Sequence, residues 1–215
     1  NENFFKNWTP EMAYVLGFFT ADGNMIKNKR GAHFMEFQIT DKDLLERIRE
    51  VFQSNHKISI RKKKFPWKTA YRLQIGSKIM FNDLINLGLT PNKSKKVELP
   101  YIPEKYFPHF VRGYFDGDGN VSAGYFKKPD RKNKSFTISV QFTSGSKRIL
   151  KELMTKLSKF ISLKGSLLFA SRAWRLNYSI NDSKKLFRFM YNDNNIKKLI
   201  YLERKYIIFK NAGVV

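Results

Sequence analysis

The sequence predicts an α+β fold: two pseudo-symmetric αββαββα repeats, each built on one four-stranded antiparallel sheet. Three observations predict it. A nine-residue word occurs twice, as Val15-Leu16-Gly17-Phe18-Phe19-Thr20-Ala21-Asp22-Gly23 and, 96 residues on, as Val111-Arg112-Gly113-Tyr114-Phe115-Asp116-Gly117-Asp118-Gly119. After each copy the same order of segments recurs, with period two where strands are expected and an apolar return at i, i+3, i+4 where helices are. Fragments outside the word repeat as well. Phe37-Gln38-Ile39-Thr40 echoes Val140-Gln141-Phe142-Thr143, and Tyr71-Arg72-Leu73-Gln74 echoes Trp174-Arg175-Leu176-Asn177.

Read as a helix, each copy of the word has one smooth face. Positions i and i+4 lie one above the other, so Gly17 with Ala21, and Gly113 with Gly117, form two strips almost without side chains. Such strips let helix backbones approach closely. Each Gly costs about 1 kcal/mol of helix propensity against Ala, a cost that close contact explains. Gly23 and Gly119 then suit the left-handed position that ends a helix. If the two helices pack side by side and parallel, Asp22 and Asp118 meet at the negative ends of two helix dipoles. Two such carboxylates repel, and a divalent metal relieves the repulsion. A competing reading takes both Asp-Gly pairs as type I′ hairpin turns. A calcium loop starting at Asp116 is excluded, because its Gly would fall on Val121 and its bidentate Glu on Lys127.

In chain order, Thr9-Pro10 predicts a helix start, with Thr as N-cap and Pro at the first helical position. The first motif helix follows to Asp22, and residues 24–30 read as a strand. In residues 33–40, His33, Met35, Phe37 and Ile39 form one face, and Phe34, Glu36, Gln38 and Thr40 the other. Asp41 begins an amphipathic helix. Strands are expected at 56–62 and 69–76 around the basic turn 61–64, then a helix over 77–88. Residues 89–107, with Pro91, Pro100 and Pro103, read as a linker between an N-terminal repeat (1–88) and a C-terminal repeat (108–215). In the second repeat a strand starts near Asn120 and a basic loop spans 127–134. A strand is expected at 135–143, a helix over 146–161, strands at 164–171 and 173–180, and helices at 182–191 and about 195–211.

Composition bounds the function. Lys and Arg number 41 against 18 Asp and Glu, a formal charge of +23 over 215 residues. That excess predicts a polyanionic partner, nucleic acid before membrane. There is no Cys, which excludes disulfides and Cys-based zinc sites, and His33, His56 and His109 are scattered. No apolar run reaches the ~18 residues of a membrane span. No signal peptide is visible, and a start at Asn1 rather than Met is compatible with trimmed targeting residues.

At the two motif copies the chain resembles the LAGLIDADG homing endonucleases, in their single-chain form with two motifs. The motif maps onto residues 15–23 and 111–119, its penultimate acidic position falls on Asp22 and Asp118, and the resemblance covers essentially the whole chain. One departure is Thr20, where the second copy has Asp116. That position is not a metal-binding one in the family. The resemblance implies an intron-encoded, intracellular, monomeric enzyme whose halves form a saddle over double-stranded DNA, with the motif helices at its centre and the sheets in the major groove. It implies a target of ~20 bp and hydrolysis of both strands with Mg²⁺, for which Mn²⁺ or Ca²⁺ would substitute in binding. Asp22 and Asp118 would hold the metal, helped by the carbonyls of Ala21 and Gly117. Lys93 and Lys198, each after the last helix of a half, would be basic catalytic residues, and Asp41 and Ser144 would order water. Gln suits adenine and Arg suits guanine. The candidate base readers are therefore Gln38, Arg72 and Gln74 in one half and Gln141, Arg175 and Asn177 in the other. Arg61, Lys63, Lys128 and Arg172 are further candidate DNA contacts.

Two other readings share the charge and the sheets: an RNA-binding maturase of the same fold acting on intron RNA, and a DNA-binding regulator that no longer cuts. The intact Asp pair favours cleavage, since neither folding nor RNA binding requires it. A bacterial or archaeal cytoplasm and an organelle fit the sequence equally.

Overall fold

In the computed structural model, which describes residues 1–62, 66, 68–91, 96–127, 132–192 and 199–214, the expected order of elements is present in both repeats. The first contains α1 (Pro10–Asp22), β1 (Asn24–Lys27), β2 (His33–Ile39), α2 (Lys42–Val51), β3 (Ile58–Arg61), β4 (Ala70–Gly76) and α3 (Lys78–Asn86). A short 3₁₀ turn, Glu104–Tyr106, leads into α4 (Phe107–Asp118). Then follow β5 (Gly119–Lys127), β6 (Lys134–Ser144), α5 (Lys147–Ile161), β7 (Ser166–Ala170), β8 (Ala173–Tyr178), α6 (Ile180–Tyr191) and α7 (Glu203–Asn211). The two sheets have the same topology, β1-β2-β4-β3 and β5-β6-β8-β7, antiparallel throughout.

The chain divides into two compact units that do not follow the repeat boundaries. One comprises Asn1–Lys93, Pro100–Gly117 and Lys198–Leu202, and the other Ser94–Leu99, Asp118–Lys197 and Glu203–Val215. Both motif helices, α4 up to Gly117, therefore lie in the first unit. Its sheet turns Met35, Phe37, Leu73 and Ile75 inward, where they are buried with Leu44, Leu45 and Ile48 of α2 and Leu84 of α3. The second unit has the matching interior of Val121, Ile138, Val140, Phe142 and Leu176, with Leu150, Leu153 and Leu157 of α5 and Leu186 of α6. Removing such side chains from water supplies ~1.5–3 kcal/mol each. Tyr178 is also inside, and burial pushes its phenol well above the usual tyrosine range.

Local chemistry explains the ends of the elements. The Thr9 hydroxyl accepts from the Met12 amide at 3.1 Å and Pro10 opens α1, as the sequence predicts. Gly23 departs from expectation. It is extended (φ −78°, ψ 151°) rather than left-handed, and α1 runs directly into β1. Glycine is needed there for space instead, since a Cβ would strike the Phe19 ring and come within 2.6 Å of the Phe19 carbonyl oxygen. The Asp-Gly pairs are thus helix ends, not hairpin turns. The last helix is also shorter than expected, because residues 199–202 spend backbone groups elsewhere. The Ile200 carbonyl accepts from Arg112 Nε at 3.0 Å, and the Leu202 amide donates to Asp116 Oδ2 at 2.8 Å.

Candidate active site and nucleic-acid interface

The two motif helices meet along the strips of small residues. A Cβ on Gly17 would overlap the Phe110 carbonyl and come within 2.9 Å of the Tyr114 nitrogen. A Cβ on Gly113 would overlap the Tyr14 carbonyl and come within 2.9 Å of the Phe18 nitrogen. One turn further on, a Cβ on Gly117 would lie 2.6 Å from the Ala21 Cβ and 3.6 Å from the Asp22 Cβ. Contacts advance along both helices together, so the pair is parallel and in the register expected from the repeat. Backbone touches backbone at Gly17 and Gly113, and the dispersion gained by this approach offsets the lost helix propensity.

Asp22 is exposed at the C-terminal end of α1, directly after Ala21 in the seam. Asp118 is half-buried and ends α4, directly after Gly117. No group of three or more His, Asp or Glu gathers among the described residues. The donors these helix ends offer are carboxylate and carbonyl oxygens, a hard set that fits Mg²⁺ or Ca²⁺, with water and phosphate oxygens completing the shell. Lys93 and Lys198, and with them Lys63 and Lys128, lie outside the described residues.

Sequence reasoning missed three polar features around these helices. Tyr14 of α1 donates its hydroxyl to Asp116 Oδ2 of α4 at 2.7 Å, with both residues buried. Arg112 is 1% exposed, lies 3.0 Å from His109 Nδ1 and stacks over the Tyr14 ring. Lys205 of α7 is 4% exposed and donates Nζ to the Gly119 carbonyl at 2.6 Å, immediately after Asp118. A cation at this helix end opposes the local dipole. No short-range pattern marks Lys205, whereas Asp116 was visible as a departure at a repeated position.

The predicted base readers fall on the open faces of the two sheets. In the first, Gln38 pairs in register with Arg72, and Glu36 with Gln74. Arg72 Nη1 and Gln74 Nε2 each lie 3.3 Å from Glu36 Oε2, and Arg72 Nε donates to Ser59 Oγ at 3.3 Å. In the second, Gln141 pairs with Asn177 and donates Nε2 to its Oδ1 at 2.7 Å. Arg175 sits between Thr143 and Leu168, with its Nε buried and unpartnered among the described residues. Arg61 is exposed at the end of β3. Arg172 is exposed in the two-residue turn between β7 and β8, where Ser171 (φ 51°) and Arg172 (φ 65°) are both left-handed. Asp41 precedes α2, and Ser144 closes β6 with its hydroxyl accepting from the Ser146 amide at 3.1 Å.

Comparison with known proteins places this geometry. Residues 9–85 match the model of the LAGLIDADG-like domain. An uncharacterized protein of Methanocaldococcus jannaschii is 26% identical over 119 residues, which is 54% of this chain and 41% of the relative. The DNA-directed RNA polymerase subunit Rpo1C of the same organism is 26% identical over 155 residues, 70% of this chain and 16% of the subunit. The chain thus spans less than half the length of either. The homing endonuclease I-WcaI bound to its DNA recognition sequence has the same fold (TM-score 0.63, 21% identity, covering 96% of this chain and 90% of that one). So does the LAGLIDADG meganuclease I-AabMI bound to uncleaved DNA (TM-score 0.63, 15% identity, 96% and 90% covered). I-SmaMI bound to an uncleaved DNA target in the presence of calcium ions matches with TM-score 0.57 at 16% identity, covering 97% and 94%. The resemblance carried by the two motif copies therefore holds, at the level of a domain in the first half and of the fold across the chain.

Proposed function

We propose that this chain, with its LAGLIDADG-like domain over residues 9–85 and the fold of the LAGLIDADG homing endonucleases, is a metal-dependent endonuclease that cuts double-stranded DNA at one long site of ~20 bp. The observation that carries the reading is the parallel contact of α1 with α4, which runs in repeat register up to Ala21 and Gly117, the residues before the two motif carboxylates. The excess of 41 basic over 18 acidic residues fits a polyanionic substrate. A DNA-bound I-SmaMI with calcium ions is a precedent for a dication in this fold.

In this reading Asp22 and Asp118 hold the dication, with the carbonyls of Ala21 and Gly117 as further donors. A bound Mg²⁺ supplies a polarised phosphate and an activated water. The protein orients the rest. The glycine strips fix the two helix ends against each other, and rigid placement of charge is what makes such stabilisation effective. Each carboxylate serves one strand. The sheets bring amides and guanidinium groups to base edges, and the basic turns take phosphates. Lys93 and Lys198 are proposed to assist at the scissile phosphates. One chain supplies both motifs, so the proposed enzyme is a monomer.

The test is cleavage selection on a randomised DNA library with Mg²⁺, beside Asp22→Asn and Asp118→Asn. The expected result is cutting at one long site. Either substitution should lower it by on the order of 1,000-fold, the equivalent of several kcal/mol of transition-state stabilisation, while binding persists. Binding without cutting in Mg²⁺ or Mn²⁺ would move the protein to the regulator or maturase class.

A further inference from the structure

Among the residues of the eight strands there is one carboxylate, Glu36. It sits in the middle of β2, on the open face of the first sheet, in a chain whose net charge is +23. On a face proposed to meet a polyanion, a carboxylate costs binding by repulsion from phosphates. Its side chain is 15% exposed and that of Arg72 25%, so both are held rather than loosely solvated.

The arrangement around Glu36 has a definite pattern of donors and acceptors. Arg72 Nη1 and Gln74 Nε2 both approach Oε2 at 3.3 Å, and Arg72 Nε is turned to Ser59 Oγ. Arg72 keeps three of its five N–H donors, at the end of the guanidinium. Among the described residues Glu36 Oε1 is the acceptor left for a donor from outside. Two donors beside one acceptor match the major-groove edge of a G·C pair. Guanine N7 and O6 accept from Arg, and cytosine N4 donates to a carboxylate. An A·T pair presents its own donor, adenine N6, where the second Arg donor would fall.

Resting on the endonuclease reading, we infer that Glu36, with Arg72 beside it, is a specificity-determining residue that selects a G·C pair in the half of the target read by the first sheet. Glu36 exchanges general affinity for discrimination: it repels phosphates everywhere and is compensated at a cytosine amino group. Gln74 Nε2 helps to hold the carboxylate through its Oε2.

Binding selection on a randomised duplex library, at one fixed salt concentration, tests this for the wild type, Glu36→Gln and Arg72→Gln. The wild type is expected to select G·C at one position that both variants relax, by about ten- to a hundred-fold for a bidentate contact. Glu36→Gln should also bind non-specific DNA several-fold more tightly. Unchanged base preferences in Glu36→Gln would overturn the assignment, as would relaxed preference with weaker non-specific binding, the signature of a merely structural pair. If Glu36→Gln does not melt as the wild type does, Arg72→Gln decides, since it must relax the same position. A wild type that selects no sequence at all would instead sink the endonuclease reading, a result distinct from either.

Discussion

Residues 16 and 20 of α1 occupy the same places in the repeat as residues 112 and 116 of α4, yet the chemistry differs. The first helix has Leu16 and Thr20, and the Thr20 hydroxyl donates to the Leu16 carbonyl of its own helix at 2.7 Å. The second has Arg112 and Asp116, both 1% exposed, which reach Tyr14, Ile200 and Leu202. The sheets are unlike in the opposite sense. The first carries Glu36 on its open face, while β5 to β8 contain no carboxylate. The repeat is therefore strict where backbones touch, at Gly17 and Gly113, and permissive where a side chain only has to find a partner. The first copy keeps an apolar helix and a charged sheet face. The second keeps a charged helix interior and a sheet face that carries Arg175 but no carboxylate.

Substitutions at paired positions sharpen this contrast. The largest effect is expected where the copies agree. Gly17→Val and Gly113→Val should each destabilise by more than ~3 kcal/mol, because the new side chain meets backbone that cannot give way. Denaturant unfolding checks both, and a clear inequality would show that the seam is not symmetric. Next comes the position where the copies differ. Asp116→Val breaks a buried hydrogen-bonded carboxylate and should cost ~3–5 kcal/mol, whereas Thr20→Val loses one hydrogen bond within its own helix and should cost about 1 kcal/mol or less. Thermal melts of the two variants would break the comparison if the costs were equal. The smallest effect is at the β7–β8 turn. Arg172→Gly relieves a left-handed non-glycine residue and should stabilise by about 1 kcal/mol. If Arg172 contacts phosphate, the same change should lower the salt dependence of DNA binding by about one unit of slope.

Much of this was legible in the residues. The strips Gly17/Ala21 and Gly113/Gly117, the alternation of His33 to Ile39 and the Thr9-Pro10 start are short-range patterns of period 3.6 or 2, and the structure has them. Gly23 was legible as a required glycine but not for the right reason, since its constraint is the Phe19 ring rather than its own φ. Asp116 showed as a departure from the repeat, but its partner Leu202 lies 86 residues away and nothing local announces it. Lys205 was illegible for the same reason, as its acceptor Gly119 is also 86 residues distant. Glu36 was readable as a member of the polar face. Its role needed the register that sets it beside Arg72 and opposite Gln74.

The bonds from Arg112 and Asp116 to Ile200 and Leu202 have a consequence during synthesis. The first unit opens with α1 but is completed by backbone groups of Ile200 and Leu202, which follow all eight strands in the chain. Chains are made from the N-terminus, and domains generally fold as units. Here the earliest sheet and helices emerge long before α4 and the segment that locks it. Until then α1, whose residues 12–20 are all buried in the finished molecule, presents its glycine strip, the surface that α4 covers, to solvent or to a chaperone. The nascent chain is thus prone to aggregate through a helix that its finished fold hides, and slower translation of the second half would lengthen that exposure.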